Sequence, residues 1–256
     1  MNKFEKFTSL HHQNISLILG NVWNVQSALL FEKLGFKAIG TSSAAIATSL
    51  GYEDGEHMPF NELVRIVKSI QAKINIPLTV DIEGGYSRDV SELIHNIKTL
   101  HQLGIVGINL EDSVYSNKRE IMDAEKFSEI LRKISTHLSE NNIDLFLNIR
   151  TDSYLMGLEN PLEETLKRIK LYEKNGADGI FVPCVVKEDE IEKMTKITDL
   201  PINVISMPDL PSFDKLNQLG VKRISMGQFL YYNSISLMES LLKDIIAKQS
   251  FNSLFS

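Results

Sequence analysis

The chain has 256 residues, 43% of them hydrophobic and 23% charged, and its 27 Lys and Arg against 33 Asp and Glu give a formal net charge of −6. A sizeable core is feasible on that composition, whereas the acidic balance and the lack of any basic run argue against a nucleic-acid surface. Cys184 is the one cysteine, which excludes an internal disulfide framework; with no apolar run of membrane-spanning length and no secretory pattern in MNKFEKFTSLHHQ, a cytoplasmic chain is expected.

An N-terminal helical region comes first, with His11 and His12 expected to face solvent. The first β-rich apolar run is 16–21 (SLILGN), followed by 38–42 (AIGTS), 78–82 (LTVDI) and 107–110 (GINL). Four more complete the series at 145–149 (LFLNI), 179–182 (GIFV), 202–205 (INVI) and 223–225 (RIS). Helical patterns lie between them at 62–72, 90–103, 124–139 and 161–175, the last with Pro161 in its first turn and Gly176 at the capping position. Gly35, Gly104, Gly176 and Gly220 each close a helical pattern a few residues before a strand, a repeat that marks βα units. The eight runs predict an α/β fold, a single (β/α)8 TIM-type barrel with an N-terminal helix and a C-terminal helical extension. An open doubly wound sheet is the alternative. One domain is expected over 1–256, with the barrel core at about 15–230. The tail from 231, helical in its first half, carries a stripe (Leu237, Met238, Leu241, Leu242, Ile245, Ile246) expected to pack on its own barrel.

Barrel chemistry sits at the C-terminal ends of the strands. Those ends carry Asn21 to Asn24, Thr41-Ser42-Ser43, Asp81-Ile82-Glu83, Glu111-Asp112, Arg150-Thr151-Asp152, Pro183-Cys184, Ser206-Met207 and Gly227-Gln228. So acidic a rim calls for a cation. Carboxylates without histidine suit Mg²⁺ or Mn²⁺ rather than zinc. No strand end offers a lysine for a Schiff base, and no Gly-rich pair cradles a sugar phosphate at the last two ends. By strand alternation Asp112 should face away from the axis. Cys184 is read as a small buried residue, and Trp23 and Tyr86 as pocket walls or packing.

Six phrases in register, NVWN (21–24), GTSSAA (40–45), LGYEDGE (50–56), VDIEGGY (80–86), GINLEDS (107–113) and IRTDSY (149–154), resemble the isocitrate lyase / phosphoenolpyruvate mutase superfamily from about residue 15 to 230. The resemblance implies that Asp81 binds the metal directly, with Glu83 and Glu111 holding Mg²⁺ directly or through water. It makes Ser42 and Ser43 the turn that binds a 2-oxo-carboxylate, and Arg150 the partner of the substrate carboxylate and the developing enolate oxygen. Asp54 becomes a loop carboxylate near the reacting group, so that Arg150, Asp54 and Glu111 form the catalytic set; Trp23 joins the substrate wall. It also implies a homo-oligomer, dimer or tetramer, whose last helices exchange between subunits.

The superfamily's C–C lyases carry a Lys-Lys-Cys-Gly-His loop after the fourth strand. Here that stretch, Ser113 to Glu120 (SVYSNKRE), has neither Cys nor His, and Lys118 or Arg119 is left to close over the substrate. The expected activity is a Mg²⁺-dependent reaction of a small 2-oxo or 2-hydroxy (di)carboxylate through an enolate, with C–C cleavage favoured. Phosphoenolpyruvate mutase or phosphonopyruvate hydrolase chemistry is the alternative, and a non-catalytic 2-oxo acid binder is a third.

Overall fold

Strand alternation decides this architecture. The computed structural model describes residues 1–115 and 118–255. Its strands, in chain order, are β1 (Leu17–Val22), β2 (Ile39–Thr41), β3 (Leu78–Asp81), β4 (Gly107–Glu111), β5 (Ser113–Tyr115), β6 (Arg119–Ile121), β7 (Phe146–Arg150), β8 (Gly179–Phe181), β9 (Ile202–Ile205) and β10 (Arg223–Ser225). Eight of them close a parallel barrel in the order β1-β10-β9-β8-β7-β4-β3-β2, as the sequence predicts, and the open sheet is excluded. The other two, β5 and β6, form an antiparallel hairpin directly after β4.

On the outward face, Val80, Ile108, Leu110, Leu147, Ile149, Ile180, Val204 and Ile224 join the main core beneath the surrounding helices. The opposite face carries Asn109, Asn148, Asn203 and Arg223, buried and hydrogen-bonded to one another: Asn148 Nδ2 reaches Asn109 Oδ1 at 2.9 Å and Asn203 Oδ1 at 3.1 Å, and Arg223 Nη2 reaches Asn109 Oδ1 at 3.1 Å. Branched aliphatics dominate barrel interiors as a rule, so this polar axis is a departure.

The helices are α1 (Lys3–Leu10), α2 (Val25–Lys33), α3 (Ser43–Ser49), α4 (Phe60–Gln71), α5 (Val90–Gln102), α6 (Ala124–Glu140), α7 (Pro161–Lys174), α8 (Glu188–Ile197), α9 (Phe213–Gln218) and α10 (Phe229–Lys248). Gly35, Gly104, Gly176 and Gly220 all adopt positive φ, from 85° to 102°, as helix-terminating junctions require. No helix among the described residues is long and apolar enough to cross a membrane.

Two expectations are overturned. His11 is 1% exposed: α1 plugs the bottom of the barrel, where His11 stacks on Phe146 at 4.4 Å and meets Phe7 edge-on at 4.7 Å. Burial, with Arg223 adding to it, lowers its pKa to about 3, so the ring stays neutral. The tail stripe does not pack on its own barrel. Helix α10 starts earlier than expected, buries Tyr231 alone, and leaves Leu237, Met238, Leu242 and Ile246 51–73% exposed.

Behind β4, Asp112 turns outward as expected. It accepts Arg168 Nη1 at 2.8 Å, the Tyr172 hydroxyl at 2.7 Å and the Asp152 amide at 3.0 Å. Arg168 also binds Glu164 and the Met122 carbonyl, fastening α7 to the strand after which the hairpin departs. Replacing Arg168 by Met leaves Asp112 buried without its cation and is expected to cost about 3–5 kcal/mol in denaturant unfolding. A loss below about 1 kcal/mol would show that this pair does not hold the fold.

Candidate functional site

A cavity of about 480 Å³ opens at the C-terminal end of the barrel. Asp54, Asp81, Arg119 and Arg150 supply its charged wall; Ser42, Ser43, Asn21, Asn109, Tyr115, Phe181 and Cys184 supply much of the remainder. Each side chain is placed by a register or a turn. Glu111 and Arg150 are direct neighbours across β4 and β7, which sets the Arg150 Nη1 to Glu111 Oε2 contact at 3.0 Å. That contact is too bent for a hydrogen bond, and Glu111 Oε2 has no donor. Arg150 Nε donates to Asp152 Oδ1 at 2.6 Å, and its guanidinium lies 5.8 Å from the centre of the Phe181 ring.

Asp152 is a hub. Besides Arg150 it accepts Arg119 Nη1 at 2.6 Å and the Ser113 hydroxyl. Burial alone would raise its pKa, but the two guanidiniums outweigh burial and hold it below the usual carboxylate range. Arg119 reaches this point because the hairpin pairs it with Tyr115 across the strands. From there Arg119 lies 3.4 Å from Glu111 Oε1 and 3.9 Å from Asp54 Oδ2, and its guanidinium sits over the Tyr115 ring at 4.6 Å.

At the end of β3, Asp81 accepts the Ser43 hydroxyl at 3.0 Å, while Ser42 caps α3 through the Ala45 amide. Burial raises the Asp81 pKa despite Arg150 nearby. Glu83 follows with φ 51°, a left-handed conformation that costs a non-glycine residue about 1–3 kcal/mol. Its carboxylate accepts the Glu56 amide at 2.7 Å and the Tyr86 hydroxyl at 3.1 Å. No ion pair joins it to a base among the described residues. Burial first, then the charges of Asp54, Asp81 and Glu111, push it up to about 8. Burial likewise takes Glu111 to about 8 against the pull of Arg150. Glu56, Tyr86 and Cys184 also have positive φ, so backbone strain gathers around this rim.

The expected residues therefore gather at adjacent strand ends, but not all on one wall. Ser42, Ser43, Asp54, Asp81 and Arg150 line the cavity; Glu83 and Glu111 stand behind it. Hydrogen bonds link them, the Glu83 amide donating to Asp81 Oδ1 at 3.3 Å and the Glu111 amide to the Glu83 carbonyl at 2.9 Å. Trp23 is not on the wall; it packs edge-on against Tyr231 at 5.3 Å. Lys118 points to solvent and pairs with Glu120, whereas Arg119 is the cation that enters. Cys184, expected to be buried, is half-buried at the cavity, with burial raising its thiol pKa. Two positions of the loop comparison, Ser116 and Asn117, lie outside the described residues.

Does the donor set suit a metal? Among the described residues no three His, Cys, Asp or Glu side chains converge into a ready-made cage. The charge count nonetheless asks for a cation: the two arginines balance Asp152 and Glu111, leaving Asp81, Glu83 and Asp54 in excess. Oxygen donors with one carboxylate on the cavity and others behind fit Mg²⁺, which keeps several waters of its own. The residues fit the group.

A family model described as phosphoenolpyruvate phosphomutase matches residues 7–246. The chain belongs to that family. Among its relatives, Uncharacterized protein Rv1998c of Mycobacterium tuberculosis is 33% identical over 225 residues, 88% of this chain and 83% of that one. The 2-methylisocitrate lyase of Aeropyrum pernix is 25% identical over 239 residues, covering 91% of this chain and 76% of the lyase. A crystal structure from Burkholderia cenocepacia, provisionally described as a phosphonomutase, superposes with a TM-score of 0.89 at 32% identity, covering 94% and 99%. The chains it resembles thus include one named a lyase and one described as a phosphonomutase.

Asp152 and Tyr115 were the residues that sequence reasoning undervalued. Register was the missing signal, since both act across strands that the sequence does not pair. An acid with a folded pKa of about 8 keeps a proton that the unfolded chain has lost above about 4.5, so stability falls as pH climbs through that interval. Metal-free protein should therefore lose melting temperature between pH 6.5 and 8, a range in which His11 no longer contributes. Glu83→Gln should flatten that slope, and Mg²⁺ should raise the wild-type curve at pH 8. An identical slope in Glu83→Gln would remove Glu83 as its source.

Proposed function

We propose that this family member is a Mg²⁺-dependent enzyme, Mn²⁺ serving in its place, that breaks a C–C bond in a small 2-oxo or 2-hydroxy (di)carboxylate through an enolate. The observation that carries this reading is the excess of buried acid beside a cavity-facing Arg150. Asp81 would hold the ion directly, with Glu83 and Glu111 reaching it through water. The bound ion would supply Lewis-acid polarisation of the 2-oxygen and its carboxylate.

The chain's own groups do the rest. Arg150, already fixed by Asp152 and Glu111, presents its remaining N–H groups to the substrate carboxylate and to charge that develops on the enolate oxygen. Donors held in place before the reaction stabilise that charge without reorganising. Ser42 and Ser43 orient the carboxylate at the mouth of α3, and Asp54 stands on the loop over the reacting bond. Resemblance to 2-methylisocitrate lyase favours C–C cleavage; the phosphonomutase-like structure favours a second reading, P–C chemistry on a phosphonopyruvate. A product-resolved screen of oxaloacetate-, isocitrate- and citramalate-type acids and phosphonopyruvate with Mg²⁺ separates the two. Asp81→Asn should abolish Mg²⁺-dependent oxalate binding in calorimetry while the protein stays folded; unchanged affinity would remove Asp81 from the site.

The bare apolar face of α10 is the surface we assign to a second copy of the chain, in a dimer or tetramer. A monomer in sedimentation at micromolar concentration would overturn that assignment.

A further inference from the structure

The proposed reaction leaves an electron pair on carbon, and that carbon needs a proton. The stretch Ser113 to Glu120 after β4 has no Cys or His to supply it. The hairpin offers something else. Tyr115 lines the cavity, and its phenolic oxygen accepts the Arg119 Nε hydrogen. An oxygen that accepts from a guanidinium keeps its own O–H for another partner. No acceptor for that O–H is found among the described residues.

Two residues fix the ring. Arg119 stacks on one face, held in turn by Asp152. Gly55 of the Asp54 loop packs against the ring so closely that a Cβ there would collide with it, and Gly55 has φ 101°. Tyr115, on the hairpin, and Asp54, on its loop, therefore border the same cavity. Arg119 also tunes the phenol. Burial takes Tyr115 up to about 12, and the Arg119 charge and hydrogen bond oppose that rise. The phenol therefore stays protonated at neutral pH, holding a proton to give.

We propose that Tyr115 is the catalytic acid of this site, delivering its hydroxyl proton to the carbanionic carbon of the enolate; the assignment rests on the enolate reading above. When the C–C bond breaks, its electron pair goes to the carbon that remains conjugated to the carbonyl or carboxylate. The Tyr115 O–H bond then breaks as the new C–H bond forms. The phenolate is held by the Arg119 Nε hydrogen and regains a proton from water as product leaves. In the reverse direction the same phenolate removes the proton.

Tyr115→Phe keeps the ring against Gly55 and deletes only the hydroxyl. Two measurements with Mg²⁺ test it: oxalate affinity by calorimetry, and exchange of the pyruvate C3 hydrogens for deuterium by NMR, alongside cleavage of the candidate acids. Oxalate affinity should stay within about threefold, while exchange and cleavage should fall by about 10²-fold or more. Exchange or cleavage within about threefold of wild type would overturn the acid role, with the enolate reading intact. A parallel loss of oxalate binding would reduce Tyr115 to packing and overturn it too. Wild-type protein that binds oxalate but neither exchanges pyruvate nor cleaves any acid would sink the enolate reading, and the assignment with it.

Discussion

Taking a carboxylate out of water costs several kcal/mol unless positive charge comes with it. The rim of this barrel withdraws Asp81, Glu83, Glu111 and Asp152 from solvent and supplies two guanidiniums. Asp152 takes the larger share of both, which is why it alone stays acidic. Glu83, with neither arginine, shows the deficit most plainly. The electrostatics of the site follow from this imbalance, which the divalent ion we propose would offset.

The frame that holds those charges is layered. Asp112 faces away from the axis and ties β4 to α7 through Arg168 and Tyr172, while its neighbour Glu111 faces the other way toward Arg150. One strand end thus turns one carboxylate toward the helices and the next toward Arg150. The hairpin that leaves from this end carries Arg119 and Tyr115 into the cavity, so its placement is only as firm as the Asp112 anchorage beneath it. On the β3 side Glu56 and Glu83 join two loops by backbone and side-chain hydrogen bonds, and Asp54 rides on that junction.

Much of this was legible in the residues. Strands β9 and β10 fall on the expected 202–205 and 223–225, because β-branched runs bounded by turn residues have few alternatives. The strand-end rule then brought Asp81, Glu111 and Arg150 together without coordinates. What stayed hidden depends on long-range pairing. Two three-residue strands carry too little pattern to announce a hairpin, so the reach of Arg119 could not be seen. His11 beside His12 reads as surface until α1 is placed under the barrel. The stripe on α10 has helical spacing, yet periodicity says only that one face is apolar, not what lies against it.

The floor of the barrel has a consequence of its own. Helix α1 works as a stopper, and above it Arg223 crosses the axis with two of its three guanidinium nitrogens lacking any hydrogen-bond partner. Burial depresses its pKa to about 9, with Asp81 the one charge that opposes this. A proteolytic nick behind residue 12, or a fusion that levers α1 away, would do more than trim a terminus. It would let bulk water rise beneath the acidic rim and hydrate the cation whose field now reaches Asp81 from below. Handling of the amino end is therefore a matter for the opposite end of the barrel.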